Sequence, residues 1–248
     1  MTSEVCLTVD VEDFYDGMAV LGKPVARPAD GKSGLSDLHS LLERFSDATL
    51  TFFVVGNYVA TVEAELSELV RAGHEVASHG PDHGRLPEDR VALLDWLRRG
   101  KGTLEDRVQQ PVRGFRSPRF DVPRQLGLSG FRDVIAEAGF SYVSDAHRLG
   151  DGSPIAELPV LTTRGVPVGG GSYQRLLPVG VVRAAVGATE GTPVLYYHSY
   201  DFGAILPPAK SVRSVALAKQ VFGRGRIAKV FAEVLAHYGS KACGHVER

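Results

Sequence analysis

Asp10, Glu12 and Asp13 crowd three acidic groups into four positions at the end of an apolar run, in Thr8-Val9-Asp10-Val11-Glu12-Asp13-Phe14. Like charges this close repel, and a divalent cation relieves the conflict. With strand periodicity, Asp10 and Glu12 point to the same side. Ser78-His79-Gly80-Pro81-Asp82-His83 holds a His-x3-His pair. On a helical turn that spacing sets both imidazoles on one face, as in other metal sites. Imidazole nitrogen suits zinc and its transition-metal neighbours. A third stretch, Tyr196-Tyr197-His198-Ser199-Tyr200-Asp201, contains His198 at the end of an apolar run. A histidine there is able to donate or accept a proton near neutral pH. Arg116, in Gly114-Phe115-Arg116-Ser117-Pro118-Arg119, could pair with a carboxylate, although an arginine is more often a surface residue. The collection suits a metal-assisted hydrolase better than a binding module.

Such residues need a scaffold that gathers strand ends on one face, and the chain has the pattern of one. Strand-like runs at residues 5–11, 50–55, 74–77, 112–115, 141–144, 155–160 and 192–197 alternate with helical ones at 36–45, 62–71, 87–108, 131–138 and 227–238. The helix at 87–108 is expected to be broken or weakened near Gly100 and Gly102. This βαβα order predicts an α/β fold with a mostly parallel sheet of about seven strands, closed as a barrel or open and doubly wound. In a parallel sheet the carboxyl ends of the strands build the active site. No Gly-x-Gly-x-x-Gly follows the first strand, so a dinucleotide fold is unsupported. Gly169-Gly170-Gly171 reads as a loop, residues 150–168 as the least regular stretch, and residues 207–226 as a basic surface connection.

The 248 residues suffice for a single catalytic domain, residues 1–248, since an α/β barrel commonly takes about 250. A formal net charge of −1 gives no reason to expect a nucleic-acid partner. Cys6 reads as a small core residue and Cys243 as part of a polar tail with no evident role. His39, His74, His147, His237 and His245 read as surface or structural residues. The first residues lack the basic start and apolar core of a signal peptide, and no apolar run approaches the ~20 residues of a membrane span. A cytoplasmic location is the expectation.

Over most of its length the chain resembles the polysaccharide deacetylases of the nodulation-factor and chitin deacetylase superfamily, most closely the branch found with bacterial exopolysaccharide biosynthesis loci. The resemblance lies in an ordered series: residues 7–14, Thr51-Phe52-Phe53-Val54-Val55-Gly56, Ala72-Gly73-His74-Glu75-Val76-Ala77-Ser78-His79, Gly114-Phe115-Arg116-Ser117-Pro118, Gly169-Gly170-Gly171-Ser172-Tyr173-Gln174-Arg175-Leu176-Leu177-Pro178 and Leu195-Tyr196-Tyr197-His198. It implies a distorted (β/α) barrel that hydrolyses N-acetyl groups on amino sugars. Asp10 would be the general base, His198 the general acid, and Arg116 the residue that orients Asp10. His79 and His83 would hold a divalent metal, zinc first and cobalt or nickel second, with Glu12 as the first choice of acidic ligand and Asp13 the second. Pro118, Arg119 and Tyr173 would touch the substrate.

Val11 stands where many relatives carry a second adjacent aspartate, and Arg119 where many carry an aromatic residue. Val143 follows Tyr142 where the branch often has Asp, leaving Asp145 as a nearby candidate to support His198. Two other readings stay open: an amide hydrolase acting on a small non-sugar substrate, and a catalytically inactive barrel that binds glycans.

Overall fold

The inward and outward faces of the first strand divide the work of the whole molecule. In β1 (Cys6–Val11) every residue is buried. Leu7, Val9 and Val11 join the apolar core beneath the helices, while Cys6 packs with Phe53, Ala77 and Tyr142 in a separate inner cluster. Thr8 and Asp10 share the parity of Cys6 and are the polar groups on that inner side. A strand buried on both faces is the mark of a parallel sheet covered by helices.

The computed structural model describes residues 4–15, 33–146, 153, 155–203 and 221–246. After β1 come β2 (Thr51–Val54), β3 (Glu75–Ser78), β4 (Gly114–Phe115), β5 (Tyr142–Val143), β6 (Ala156–Glu157) and β7 (Val194–His198). All pairings are parallel, in the order β6-β5-β4-β3-β2-β1-β7. Isolated parallel bridges Val160↔Val194 and Gly170↔Tyr196 extend the far side of β7. The sheet is thus a curled, distorted barrel of seven strands: the element order predicts the parallel seven-stranded sheet, and of the two closures it leaves open the barrel, which the family resemblance implies, is the one found.

The helices that cover it are α1 (Leu35–Leu42), α2 (Glu63–Arg71), α3 (Arg90–Val108), α4 (Gly127–Glu137), α5 (Gly171–Gln174), α6 (Val179–Gly187) and α7 (Ile227–Tyr238). Helix α7 buries Ile227, Val230, Phe231, Val234 and Leu235, a stripe at helical spacing. Full burial of each such side chain contributes about 1.5–3 kcal/mol.

Several local expectations need correction. Helix α3 starts at Arg90 rather than residue 87, because Asp89 caps it by accepting from the backbone N–H groups of Val91 and Ala92. It runs unbroken through Gly100 and Gly102. Gly100 marks a close approach: a Cβ there would lie 2.8 Å from the backbone nitrogen of Pro81. The Gly169-Gly170-Gly171 stretch is not only a loop, since Gly171 opens the single turn of α5 and Gly170 bridges to Tyr196. Helix α6 carries no strong sequence signal and was not expected. Cys243 lies in no polar tail: it is 2% exposed, and its backbone N–H donates to Thr51 Oγ1 at 2.8 Å. His74 is structural, its Nδ1 accepting from the N–H of Leu50 at 3.2 Å. His147 and most of residues 207–226 lie outside the described residues. No helix among the described residues is long and apolar enough to cross a membrane.

Candidate metal and catalytic site

Register brings the first chemical pair together. Parallel pairing of β1 with β7 sets Asp10 opposite His198, and pairing of β1 with β2 sets Asp10 opposite Phe53. Both Asp10 and His198 are therefore at the carboxyl rim. Glu12, two residues beyond Asp10, projects to the same region.

The loop after β3 delivers the imidazoles. The expectation of a helical turn is wrong here: residues 79–84 form a bent loop. Gly80 has φ +80°, and a Cβ there would lie 2.1 Å from the Trp96 ring, so glycine is required on two counts. Backbone N–H groups of Gly56 and Asn57 bind the carbonyls of Gly80 and Pro81, both at 2.8 Å. The N–H of Gly84 binds Asp82 Oδ1 at 2.9 Å. Pinned in this way, the loop holds the His79 and His83 rings 5.5 Å apart.

Glu12 Oε2 lies 2.5 Å from His83 Nε2 and 3.8 Å from His79 Nε2. One ligand atom from each of Glu12, His79 and His83 falls within a 4.8 Å cluster. Asp13 is not part of it: its Oδ1 accepts from the N–H of Tyr15 at 2.8 Å. His79 Nδ1 is 2.9 Å from the Arg116 carbonyl, an acceptor, so this nitrogen donates and Nε2 keeps its lone pair toward Glu12. Two imidazoles and a carboxylate form a donor set that suits zinc.

Electrostatics agree with that geometry. Burial opposes the charge of Glu12, but the charge and contact of His83 and the charges of His198 and His79 outweigh it and hold the carboxyl at about 2. Burial pushes the His79 ring below the usual histidine range. Burial also opposes protonation of His83, yet Glu12 beside it raises that ring above the usual value.

Arg116 is 0% exposed, against the surface placement usual for an arginine, and it pairs with Asp10 as the family resemblance implies. Its Nη1 donates to Asp10 Oδ1 at 2.6 Å and to Thr8 Oγ1 at 2.9 Å. Its Nε and Nη2 donate to the carbonyl and hydroxyl of Ser144 at 2.9 and 2.8 Å. The guanidinium also lies 4.1 Å above the Phe53 ring. Such an anchored fork fixes the orientation of Asp10.

His198 Nε2 is 3.7 Å from Glu12 Oε1, and its ring stacks on Tyr200 at 4.7 Å. Burial works against its protonation, but Asp201, Glu12 and Asp10 raise it above the ordinary value. Asp145 does not support His198. Both its oxygens accept from Ser117 Oγ at 2.9 Å, and burial raises it to about 7. The supporting carboxylate is Asp201, whose Oδ2 lies 3.5 Å from His198 Nδ1 and accepts the His198 backbone N–H at 3.0 Å. Fully buried Arg175 pairs with Asp201 in turn. Sequence reasoning assigned neither residue a role. The available signal was Asp201 three positions after His198 in the same motif.

Of the expected substrate contacts, Pro118 is buried in the turn after β4, and Arg119 follows it with φ 60° and pairs with Asp121. Tyr173 is 42% exposed on α5.

Residues 32–143 match the family model described as "Polysaccharide deacetylase", and residues 131–246 match one described as "Domain of unknown function (DUF3473)". No curated protein matches the chain. Among solved structures, a candidate polysaccharide deacetylase from Mycobacterium smegmatis is 22% identical, with a TM-score of 0.59 over 97% of this chain and 87% of that one. A family 4 carbohydrate esterase from Streptomyces lividans, solved with acetate, is 16% identical with a TM-score of 0.54, covering 97% of this chain and 91% of its own. A CE4 family pseudoenzyme from Bacillus anthracis is 15% identical with a TM-score of 0.53, covering 99% and 65%. At these identities the likeness is one of fold.

Proposed function

We propose that the protein is a metal-dependent hydrolase removing N-acetyl groups from amino sugars of a glycan, a reading supported by the match of residues 32–143 to the family model described as "Polysaccharide deacetylase". The observation that carries this reading is the meeting, on one rim, of the Glu12–His79–His83 cluster with the Arg116-bound Asp10 and the Asp201-backed His198.

A divalent ion held by Glu12, His79 and His83, zinc first and cobalt or nickel second, would polarise the acetyl carbonyl and lower the pKa of a water toward ~7. Asp10, fixed by Arg116, accepts the proton of the attacking water. His198 donates a proton to the departing sugar nitrogen, which is a poor leaving group without it. Asp201 holds the His198 ring in place and favours its charged form, and Arg175 balances the Asp201 charge. In this reading Pro118, Arg119 and Tyr173 would touch the sugar, as the family resemblance implies. The products are acetate and the free amino sugar.

The Bacillus anthracis pseudoenzyme shows that this fold also occurs in a protein described as lacking activity. Retention of both a base and an acid beside the cluster favours chemistry here. The test is acetate release by zinc-loaded protein from N-acetylated glycan oligomers, O-acetylated glycans and small amides. Release from the N-acetylated oligomers is expected. Metal retention with glycan binding and no acetate from any probe would leave the inactive reading instead.

A further inference from the structure

A cavity of about 430 Å³ lies between the loop that follows β3 and the turn that follows β4. Its walls carry Arg85, Arg119 and Arg124 against Glu88 and Asp121. Both acids are engaged: Asp121 pairs with Arg119, and Glu88 Oε2 accepts the backbone N–H of Gln125 at 3.1 Å. Arg85 and Arg124 make no ion pair among the described residues, and Arg119 Nε is buried without an acceptor. Three guanidinium groups against two carboxylates leave the wall with a net positive charge, and Arg85 and Arg124 supply the guanidinium donors that no carboxylate among the described residues takes up.

Its position ties it to the site. Arg85 follows His83 by two residues, so their Cα atoms are at most ~7 Å apart. Arg119 and Phe120 both have positive φ, 60° and 56°, a conformation unfavourable for side-chain-bearing residues and held only by firm packing. That packing is visible: the Phe120 ring meets Tyr196 at 5.2 Å, and Tyr196 meets His198 at 5.7 Å. The same turn thus presents Arg119 to the cavity and leans on the rim that carries His198.

The geometry points to a subsite for an oxyanion, a carboxylate or phosphate, borne by the glycan next to the acetylated sugar, so that the substrate class is an acidic glycan. This assignment rests on the deacetylase reading for its role, though not for the binding itself. Guanidinium groups match the planar oxygens of both anions, and a cavity of this size lies within the range of small-ligand sites.

The test compares zinc-loaded protein on three N-acetylglucosamine oligomers: neutral, carrying a neighbouring glucuronate, and carrying a neighbouring sugar phosphate. Charge-assisted hydrogen bonds predict about a tenfold or greater gain in kcat/KM for an anionic oligomer. Which anion gains identifies the source, uronic acid or phosphate. In an Arg85→Ser/Arg124→Ser variant with wild-type thermal stability, the anionic-to-neutral ratio should fall to near one. Titration of the same oligomers against Asp10→Asn protein reads binding without turnover. Anionic preference in binding with no acetate release keeps the subsite and sinks the hydrolytic reading. Acetate release at equal efficiency from all three, or a preference that survives the double variant, overturns the subsite and leaves the deacetylase reading standing.

Discussion

Arg116 Nη1 and Asp10 Oδ1 meet at 2.6 Å inside the barrel, joining strands β4 and β1, which two other strands separate in the sheet. The pair is a strut across the barrel, because Arg116 also holds Thr8 and Ser144.

Removing one partner of that pair leaves an uncompensated buried charge. Arg116→Met should destabilise the fold by about 3–5 kcal/mol in urea unfolding. Combining it with Asp10→Leu should restore much of the loss, since no charge is then stranded. Equal losses in the single and double variants would show that the arginine's packing, not the pair, supplies the stability.

The proposed mechanism assigns metal holding and proton transfer to different residues, and variants should separate them. Asp10→Asn and His198→Ala should each lower turnover by about a hundredfold or more with metal content unchanged. His79→Ala should lose bound zinc and acetate release together, read by elemental analysis after desalting. A fully active His79→Ala/His83→Ala variant would end the metal-dependent scheme.

Two glycines of one helix should answer oppositely to the same change. A Cβ at Gly102 meets nothing within 4 Å, so Gly102→Ala should stabilise by about 0.5–1 kcal/mol. A Cβ at Gly100 meets Pro81 N at 2.8 Å and Gly80 C at 2.9 Å. Gly100→Ala should therefore destabilise by about 1–3 kcal/mol despite better helix propensity, and weaken zinc binding by shifting the His79–His83 loop. Chemical unfolding and zinc titration of both variants check this.

His74 ties stability to pH away from the site. Burial, and then the charge of nearby His39, lowers it from 6.5 to about 4. Between those values the unfolded chain binds a proton that the folded chain does not, so stability falls as pH drops from 6.5 toward 4. Above 6.5 both states are neutral and the contribution is fully present. His74→Asn should narrow the difference in Tm between pH 7.5 and pH 4.5 relative to wild type. An unchanged difference would assign the acid sensitivity to other groups.

Much of this architecture was legible because periodicity is local. The alternation of strand-like and helical runs predicts the parallel sheet of seven strands, though not its closure into a barrel, and residues 227–238 show an amphipathic stripe that is the helix observed. Same-side placement of Asp10 and Glu12 follows from a strand period of two. Helix α6 was not legible, nor was the loop form of residues 79–84, where Gly80 against Trp96 overrides any helical spacing. The burial of Arg116 and Cys243 and the service of Asp201 rather than Asp145 to His198 depend on neighbours far apart in the chain.

The amino-acid order by itself determined which groups exist to do chemistry and which strand end each one follows, since both are properties of short segments. Tertiary structure alone decided that Glu12 rather than Asp13 faces the imidazoles, that Arg116 reaches Asp10 across two intervening strands, and that Arg85 and Arg124 share a wall with Arg119. Those relations come from barrel curvature and loop packing, which arise only when segments distant in sequence bury their apolar faces together.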